Sequence, residues 1–379
     1  MRPAMMHNAS SANRPVLLVA PSLTAFGGGI ELCCRQILAA VVAARPDAPV
    51  AALLGRESRL GRPELLPPLL GSRLSVSGGS GWTSFLIAAG RLFSTRPGVI
   101  ICGHLHYLPV AAALARVTGA KLISLLHGVE VWNRGHRLAH LAAARADLTV
   151  AVSGFTAAQA LRFLPVTAGR VVVAPNAVDT ARFSPGEPDT ATLARLASLR
   201  RPLLLTVSRL DAIEGYKGVD EVLRALATMS DPPSYVVAGD GSDLPRLRAL
   251  AAALRVDVTF LGQVSDETLV SLYRAADLFI MASRNEGFGF VFIEALSTGT
   301  PVIAGGVDGS VEALDGGRLG LLVDPLDPGA IARAISDSLA GRTVANLRDP
   351  VWLRKEVQQR FGLEAFHRRW AAILERVSS

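Results

Sequence analysis

At 379 residues the chain is too long for one small domain and suits two of ordinary size. Half of its residues are hydrophobic and 19% are charged, which excludes a disordered or solvated coil. Its 39 basic and 32 acidic residues leave a net charge of +7.

Short β-branched runs alternate with helical patterns, as in parallel sheets with crossover helices. In the first half the predicted strands are 16–20, 50–54, 99–103, 121–126, 148–153 and 171–174, with helices at 30–43, 83–92 and 155–164. Residues 176–188, broken by Pro185, Gly186 and Pro188, read as a linker. A second series follows, with strands 203–207, 235–238, 258–261, 278–281, 301–304 and 321–323 and helices 219–229, 244–254, 266–275 and 290–298. Residues 352–377 are helical with no strand after them. The expected architecture is two doubly wound, Rossmann-like α/β domains closed by C-terminal helices, with ligands outside the carboxyl ends of the strands.

Each motif falls at such an end. Gly27-Gly28-Gly29-Ile30-Glu31 follows the first strand, where glycines admit a ligand to the backbone and a helix start favours an anion. The loop has neither the dinucleotide G-x-G-x-x-G nor the P-loop Gly-Lys-Ser/Thr, and a tight turn also needs glycine. His127-Gly128 closes strand 121–126, where the imidazole is either a ligand contact or structural. His104 and His106, also at a strand end, read as packing or rim residues. Arg209 stands at the end of strand 203–207, and Lys217 at the next helix start, eight residues on. Such a pair can converge on a diphosphate, and a lysine is unusual in a chain with three lysines against 36 arginines.

The strongest constellation is Arg284-Asn285-Glu286-Gly287-Phe288-Gly289-Phe290-Val291-Phe292-Ile293-Glu294. It puts Glu286 in a loop, Glu294 one turn inside the following helix, and the amides of Gly289 to Val291 at a helix N-terminus ready for phosphate. Carboxylates accept hydrogen bonds from the vicinal hydroxyls of sugars. Glu286 and Lys217 are both expected to be exposed in a cleft.

In these residues the chain resembles the retaining GT-B glycosyltransferases of family 4 (glycosyl transferases group 1), a group with many bacterial polysaccharide and lipid glycosyltransferases. The resemblance runs from Val16 to Val377. It includes Val152-Ser153-Gly154-Phe155-Thr156, Pro175-Asn176 with Asp179 and Phe183, Ser208-Arg209-Leu210, Tyr216-Lys217-Gly218-Val219-Asp220, Gly239-Asp240-Gly241 and Gly299-Thr300-Pro301-Val302-Ile303 beside the motifs above. It implies an acceptor-side domain over 1–183, a nucleotide-sugar-binding domain over 184–351 facing it across a cleft, and helices over 352–379 packing back across the domains.

It also implies roles. Arg209 and Lys217 would hold the donor diphosphate and neutralise the leaving group. Glu286 would bind donor-sugar hydroxyls, Glu294 the nucleotide ribose, and His127 the transferring sugar. Gly28 and Gly29 would approach the diphosphate or acceptor, and Phe288, Gly289 and Phe290 would form the donor-binding loop. The implied reaction is transfer of a hexose, glucose or mannose, to a saccharide or lipid-linked acceptor with retention of configuration, in cell-surface polysaccharide or glycolipid synthesis. The chain has no D-x-D triplet, so neither a metal nor another cofactor is expected. One departure lies on the donor side: where many members have Gly-Gly before an acidic residue, this chain has Gly305-Gly306-Val307-Asp308-Gly309-Ser310-Val311-Glu312. A nucleotide-sugar epimerase of the same fold and a catalytically silent nucleotide-sugar-binding module are the rival readings.

Residues 1–180 carry 17 basic and 7 acidic residues, whereas 181–379 carry 22 and 25. A basic first half suits an anionic partner. Lipid headgroups or a lipid diphosphate fit better than nucleic acid, for which no recognition motif appears; a dispersed solvated surface is the plain alternative. Arg56, Arg59, Arg62 and Arg73, in one segment with Pro63, Pro67 and Pro68, are the first candidates for such a surface. Residues 1–14 lack the apolar core of a secretory signal, and no run of about 18 apolar residues spans a membrane. Cys33, Cys34 and Cys102 suit no zinc spacing or disulfide scaffold and read as small buried side chains of a reduced, cytoplasmic protein. The expected location is therefore the cytoplasm, peripheral on the inner membrane face.

Overall fold

A computed structural model describes residues 14–25, 27–66, 68, 70, 74–79, 81–132 and 137–379. Arg73, Pro67 and residues 1–13, on which expectations were placed, lie outside the described residues. The chain divides into two compact units, residues 1–176 with 364–379, and residues 177–363.

The first unit is built on strands β1 (Val16–Ala20), β2 (Val50–Leu54), β3 (Leu74–Gly78), β4 (Val99–Cys102), β5 (Lys121–Leu126), β6 (Leu148–Ala151) and β7 (Val171–Val173). All pair in parallel, in the order β3-β2-β1-β4-β5-β6-β7. Its longer helices are α1 (Gly29–Ala44), α2 (Trp82–Arg91), α3 (Leu108–Thr118), α4 (Arg137–Ala143) and α5 (Gly154–Phe163). Parallel strands need crossover helices on both faces, so central strands become continuous apolar runs: Val-Leu-Leu-Val-Ala of β1 is wholly buried. Strand β3, Leu-Ser-Val-Ser-Gly, was not expected from the sequence. It lies at the sheet edge with only partly buried side chains, so it needs no apolar run.

The second unit has α6 (Thr190–Leu196), β8 (Leu203–Val207), α7 (Val219–Ala227), β9 (Ser234–Ala238), α8 (Leu244–Leu254), β10 (Val258–Gly262), α9 (Asp266–Ala275), β11 (Leu278–Met281), α10 (Phe290–Ser297), β12 (Val302–Gly305), α11 (Ser310–Ala313), β13 (Leu321–Val323), α12 (Pro328–Leu339) and α13 (Pro350–Phe361). Its parallel sheet runs β10-β9-β8-β11-β12-β13. In both sheets the strand order reverses beside the first strand, between β1 and β4 and between β8 and β11. The crevice outside the carboxyl ends at such a switch point is where doubly wound sheets bind ligands.

The division falls after Asn176 rather than after residue 183, because the linker is fastened to the second unit. The Val178 amide donates to the Phe361 carbonyl (2.8 Å), Ser297 Oγ donates to the Phe183 carbonyl, and the Phe183 ring meets Tyr273 edge-on at 6.1 Å. The terminal helices part company. Helix α13 packs on α10, whereas α14 (Leu363–Ser378) joins the first unit, where Arg45 donates to the Leu374 carbonyl (3.2 Å) and Arg376 to the Gly169 carbonyl (2.7 Å). Among the described residues, no helix is long and apolar enough to cross a membrane.

Candidate functional site

Strand β8 ends at Val207, and the chain then runs through Ser208 and a 3-10 turn, Ala212–Lys217, into α7. Gly218 makes that entry with φ +83° while its α-carbon presses on β11's end: an added Cβ would lie 2.1 Å from the Ala282 carbonyl oxygen. Only glycine meets both demands. The turn thus places Lys217 beside the loop after β11, and the Arg284 amide donates to the Tyr216 carbonyl (3.0 Å) to fasten the two segments.

Lys217 Nζ donates to Glu286 Oε2 at 2.7 Å, with the two side chains only 17% and 16% exposed. Both therefore depart from the expected exposure: they are largely buried and paired. Burial acts against the ammonium's charge, but Glu286 outweighs it and pushes Lys217 up to about 12. The ammonium also stands 5.5 Å from the centre of the Tyr216 ring. Arg209, largely exposed, reaches the same cluster through Glu214, whose carboxylate pairs with its guanidinium and lies 3.9 Å from Lys217 Nζ. Arg209, Glu214 and Lys217 line a shallow cavity that continues to Asp220 and Asp243. Two cations and two carboxylates alternate here, so an entering diphosphate would compete with Glu214 for Arg209.

Glu286 is held from the other side by a residue outside the expected set. The buried Asp308 carboxylate accepts from the Glu286 amide (2.7 Å), Ser283 Oγ (2.9 Å), the Ser310 amide (3.0 Å) and Ser310 Oγ (2.6 Å). Burial raises its pKa, against the lowering effect of these hydrogen bonds. The Gly309 amide returns a bond to the Glu286 carbonyl (2.9 Å). The sequence signal was the departure from the family's Gly-Gly pattern over 305–312, legible as a difference but not as a contact.

Gly289, with φ +88°, caps α10, and its amide and those of Phe290 and Val291 form the N-terminus facing the loop. Phe288, expected to bind the donor, is instead a core residue, 1% exposed and edge-on to Phe361 at 5.5 Å, because its ring packs beneath the loop rather than lining it. Phe290 is partly buried. Glu294 is buried one turn into α10, where it accepts from Tyr273 Oη at 2.9 Å; burial pushes its carboxyl up to about 7. Tyr273, 21 residues earlier in the chain, was not singled out from the sequence.

The remaining expected residues belong to the first unit. Gly28 caps α1 and Gly29 opens it; Glu31 folds back to accept from Ser22 Oγ (2.9 Å). The loop ahead of the glycines is pinned by Glu57. Burial opposes its charge, yet bonds from Thr24 Oγ1 and the Leu23, Thr24 and Gly61 amides hold its carboxyl below the ordinary value. His127 closes β5 with Nε2 2.8 Å from the Gly103 carbonyl, while Glu130 accepts from its amide (2.5 Å) and that of Gly128 (3.2 Å). His104 stacks on it at 6.4 Å, its pKa lowered by burial to about 4, and its Nδ1 accepts from the His106 amide. The structure thus gathers Arg209, Lys217 and Glu286 into one cluster and places Gly28, Gly29 and His127 at the strand ends of the other sheet.

Two Rossmann-like units with parallel sheets of 7 and 6 strands, and a cation–carboxylate cluster at a switch point, define a GT-B fold. Residues 28–182 match the family described as Glycosyltransferase Family 4, and residues 194–350 that described as Glycosyl transferases group 1. The chain belongs to this GT-B glycosyltransferase family. It is 38% identical over 214 residues to a D-inositol 3-phosphate glycosyltransferase of Geodermatophilus obscurus, covering 52% of this chain and 47% of that protein. It is 32% identical over 251 residues to a GDP-mannose-dependent alpha-(1-6)-phosphatidylinositol monomannoside mannosyltransferase of Mycobacterium tuberculosis, covering 62% and 65%. The chain spans about half the length of the first of these relatives. In fold it is similar to Anabaena HepE, solved with UDP and glucose, with a TM-score of 0.76 and 21% identity over 96% of this chain and 100% of that one.

Proposed function

We propose that the protein transfers a hexose from a nucleotide diphosphate sugar to a saccharide or lipid-linked acceptor, with retention of configuration and without a bridging metal. The observation that carries this reading is the Lys217–Glu286 contact beside Arg209, at the switch point of the second sheet. Lys217, held protonated, and Arg209 would take the diphosphate oxygens and stabilise the charge that collects on them as the glycosyl–phosphate bond breaks. The α10 N-terminus adds its dipole on the same side. Glu286 would turn from Lys217 to donor-sugar hydroxyls, and Glu294, held from behind by Tyr273, would meet the ribose. Leaving-group departure and acceptor attack on one face of the sugar give retention without a protein nucleophile.

The curated relatives above include an enzyme named for GDP-mannose, and HepE was solved with UDP and glucose, so GDP-mannose and UDP-glucose are the donors to test first. The basic first half supports work at an anionic membrane surface on the cytoplasmic side, in polysaccharide or glycolipid synthesis. Both cations and Glu286 are present, which favours transfer over a silent binding module.

Nucleotide release and sugar transfer measured with saturating donor test the site. Lys217→Ala and Glu286→Ala should each slow transfer by about 100- to 1,000-fold, the loss typical of a preorganised charge partner. The double variant should be hardly slower than either single one, because the two act as a pair. Near-normal turnover in either single variant would remove the assignment.

A further inference from the structure

Between residues 65 and 146 the chain carries eight Lys and Arg but one acid, Glu130. That acid is occupied by the His127 and Gly128 amides. Helices α2, α3 and α4 all fall in this stretch, with α2 packed on α3 and α3 on α4, and their inner sides join one core. Their outer sides are unusual for helices facing water, which normally present polar residues there. Trp82, Leu86 and Ile87 of α2 and Phe93 just beyond it are 42% to 56% exposed, and Leu138 and Leu141 of α4 are 75% and 67% exposed. Both helices border the 105–107 turn: the Trp82 ring lies 5.2 Å from that of His106, and α4 packs on the same turn. The charged residues on the same helices and their ends are cations, the exposed Arg91, Arg96, Arg137 and Arg145 among them.

We propose that this outer side of α2 and α4 is the face by which the protein docks on an anionic lipid bilayer. Apolar side chains headed by a tryptophan and rimmed by arginines match an interface whose headgroups are negative and whose acyl boundary is apolar. A second copy of the chain fits worse, because a self-complementary contact would bring these cations against their own kind. A soluble polyanion leaves the leucines without a partner. The face also moves the docking surface away from Arg56 and Arg62, which are engaged locally: Arg56 hydrogen-bonds Tyr107, and Arg62 donates to the Thr24 carbonyl (3.1 Å). The proposal rests on the membrane surface put forward above and is independent of the transfer chemistry.

Co-sedimentation with phosphatidylcholine vesicles, with and without phosphatidylglycerol, tests it on the full chain. Binding should require phosphatidylglycerol. It should fall about tenfold in Leu86→Ser/Ile87→Ser and in Leu138→Ser/Leu141→Ser, with thermal unfolding unchanged, since both pairs are already solvent-exposed. Arg59→Ala/Arg62→Ala should bind nearly as well as wild type. Trp emission should shift to the blue on anionic vesicles, and Trp82→Phe should abolish that shift. Failure of the wild type to bind anionic vesicles would overturn the membrane reading and the face together. Binding undiminished in both serine pairs, or lost chiefly in the Arg59/Arg62 variant, would overturn the face alone. So would a dimer in sedimentation velocity that the serine pairs dissolve.

Discussion

Glu294 shows how much a single side chain's surroundings add to its identity. As a carboxylate one turn into a helix it reads as a ligand for ribose, yet in the fold it is buried against Tyr273 with its pKa near 7. Because the folded value lies above the ordinary 4.5, the native state holds a proton that the unfolded chain releases between these two values. Stability from this group is complete below about 4.5 and is lost as pH rises through about 7. The loss amounts to about 3 kcal/mol at one pKa unit per 1.36 kcal/mol. Urea unfolding at pH 5 and pH 8 should show that decline in the wild type, and Glu294→Gln should largely remove it. An equal slope in both proteins would mean that Glu294 is ionised in the fold. Lys217 and Glu286 carry the same lesson: their residue types and loop positions were legible in the sequence, but their mutual burial was not, because they are 69 residues apart.

Loops, more than helices, organise the second unit's site. Three of them, after β8, β11 and β12, converge, and each is held by contacts the others provide: Arg284 to Tyr216, Glu286 to Asp308, and Gly309 to Glu286. Asp308 is the fastener between the last two. In Asp308→Asn an amide NH2 would face at least one of the buried donors that now point at the carboxylate, costing about 1–3 kcal/mol. We expect a stability loss of that order and a fall in kcat that disappears when the same substitution is made in a Glu286→Gln background, because Asp308 reaches the reaction only through Glu286. A kcat loss of equal size in both backgrounds would assign Asp308 a separate role. The strands and helices around these loops were largely readable from apolar periodicity, since parallel strands covered on both faces leave continuous hydrophobic runs. Edge strand β3, half-buried and rich in serine, left no such run.

For the whole molecule, the charge distribution and the absence of D-x-D bear on how the reaction is assisted. With two cations and a helix N-terminus at the proposed diphosphate site, transfer should continue in excess EDTA with little change in rate. Complete loss on chelation, restored by Mn²⁺, would show that the diphosphate is held through a metal. The division into two α/β units was legible from the alternation of strand and helix patterns broken at 176–188. The destination of the terminal helices was not: α13 belongs with the second unit and α14 with the first, and amphipathic helices in sequence carry no mark of which core will receive them.

What the amino-acid order settled is local. Apolar runs, glycines and helix starts give the α/β class and two units in series. They also give the positions of Arg209, Lys217, Glu286 and Glu294 at strand ends and helix starts, because periodicity and backbone freedom act over a few residues. What the folded chain added is long-range: the Lys217–Glu286 pair, the Glu214 bridge to Arg209, the Asp308 fastener, the Tyr273–Glu294 bond, and the apolar outer side of α2 and α4. These depend on which strand ends the sheet order brings side by side and which helix faces it leaves to solvent. Burial and electrostatic pairing are properties of those neighbours, not of the residue types alone.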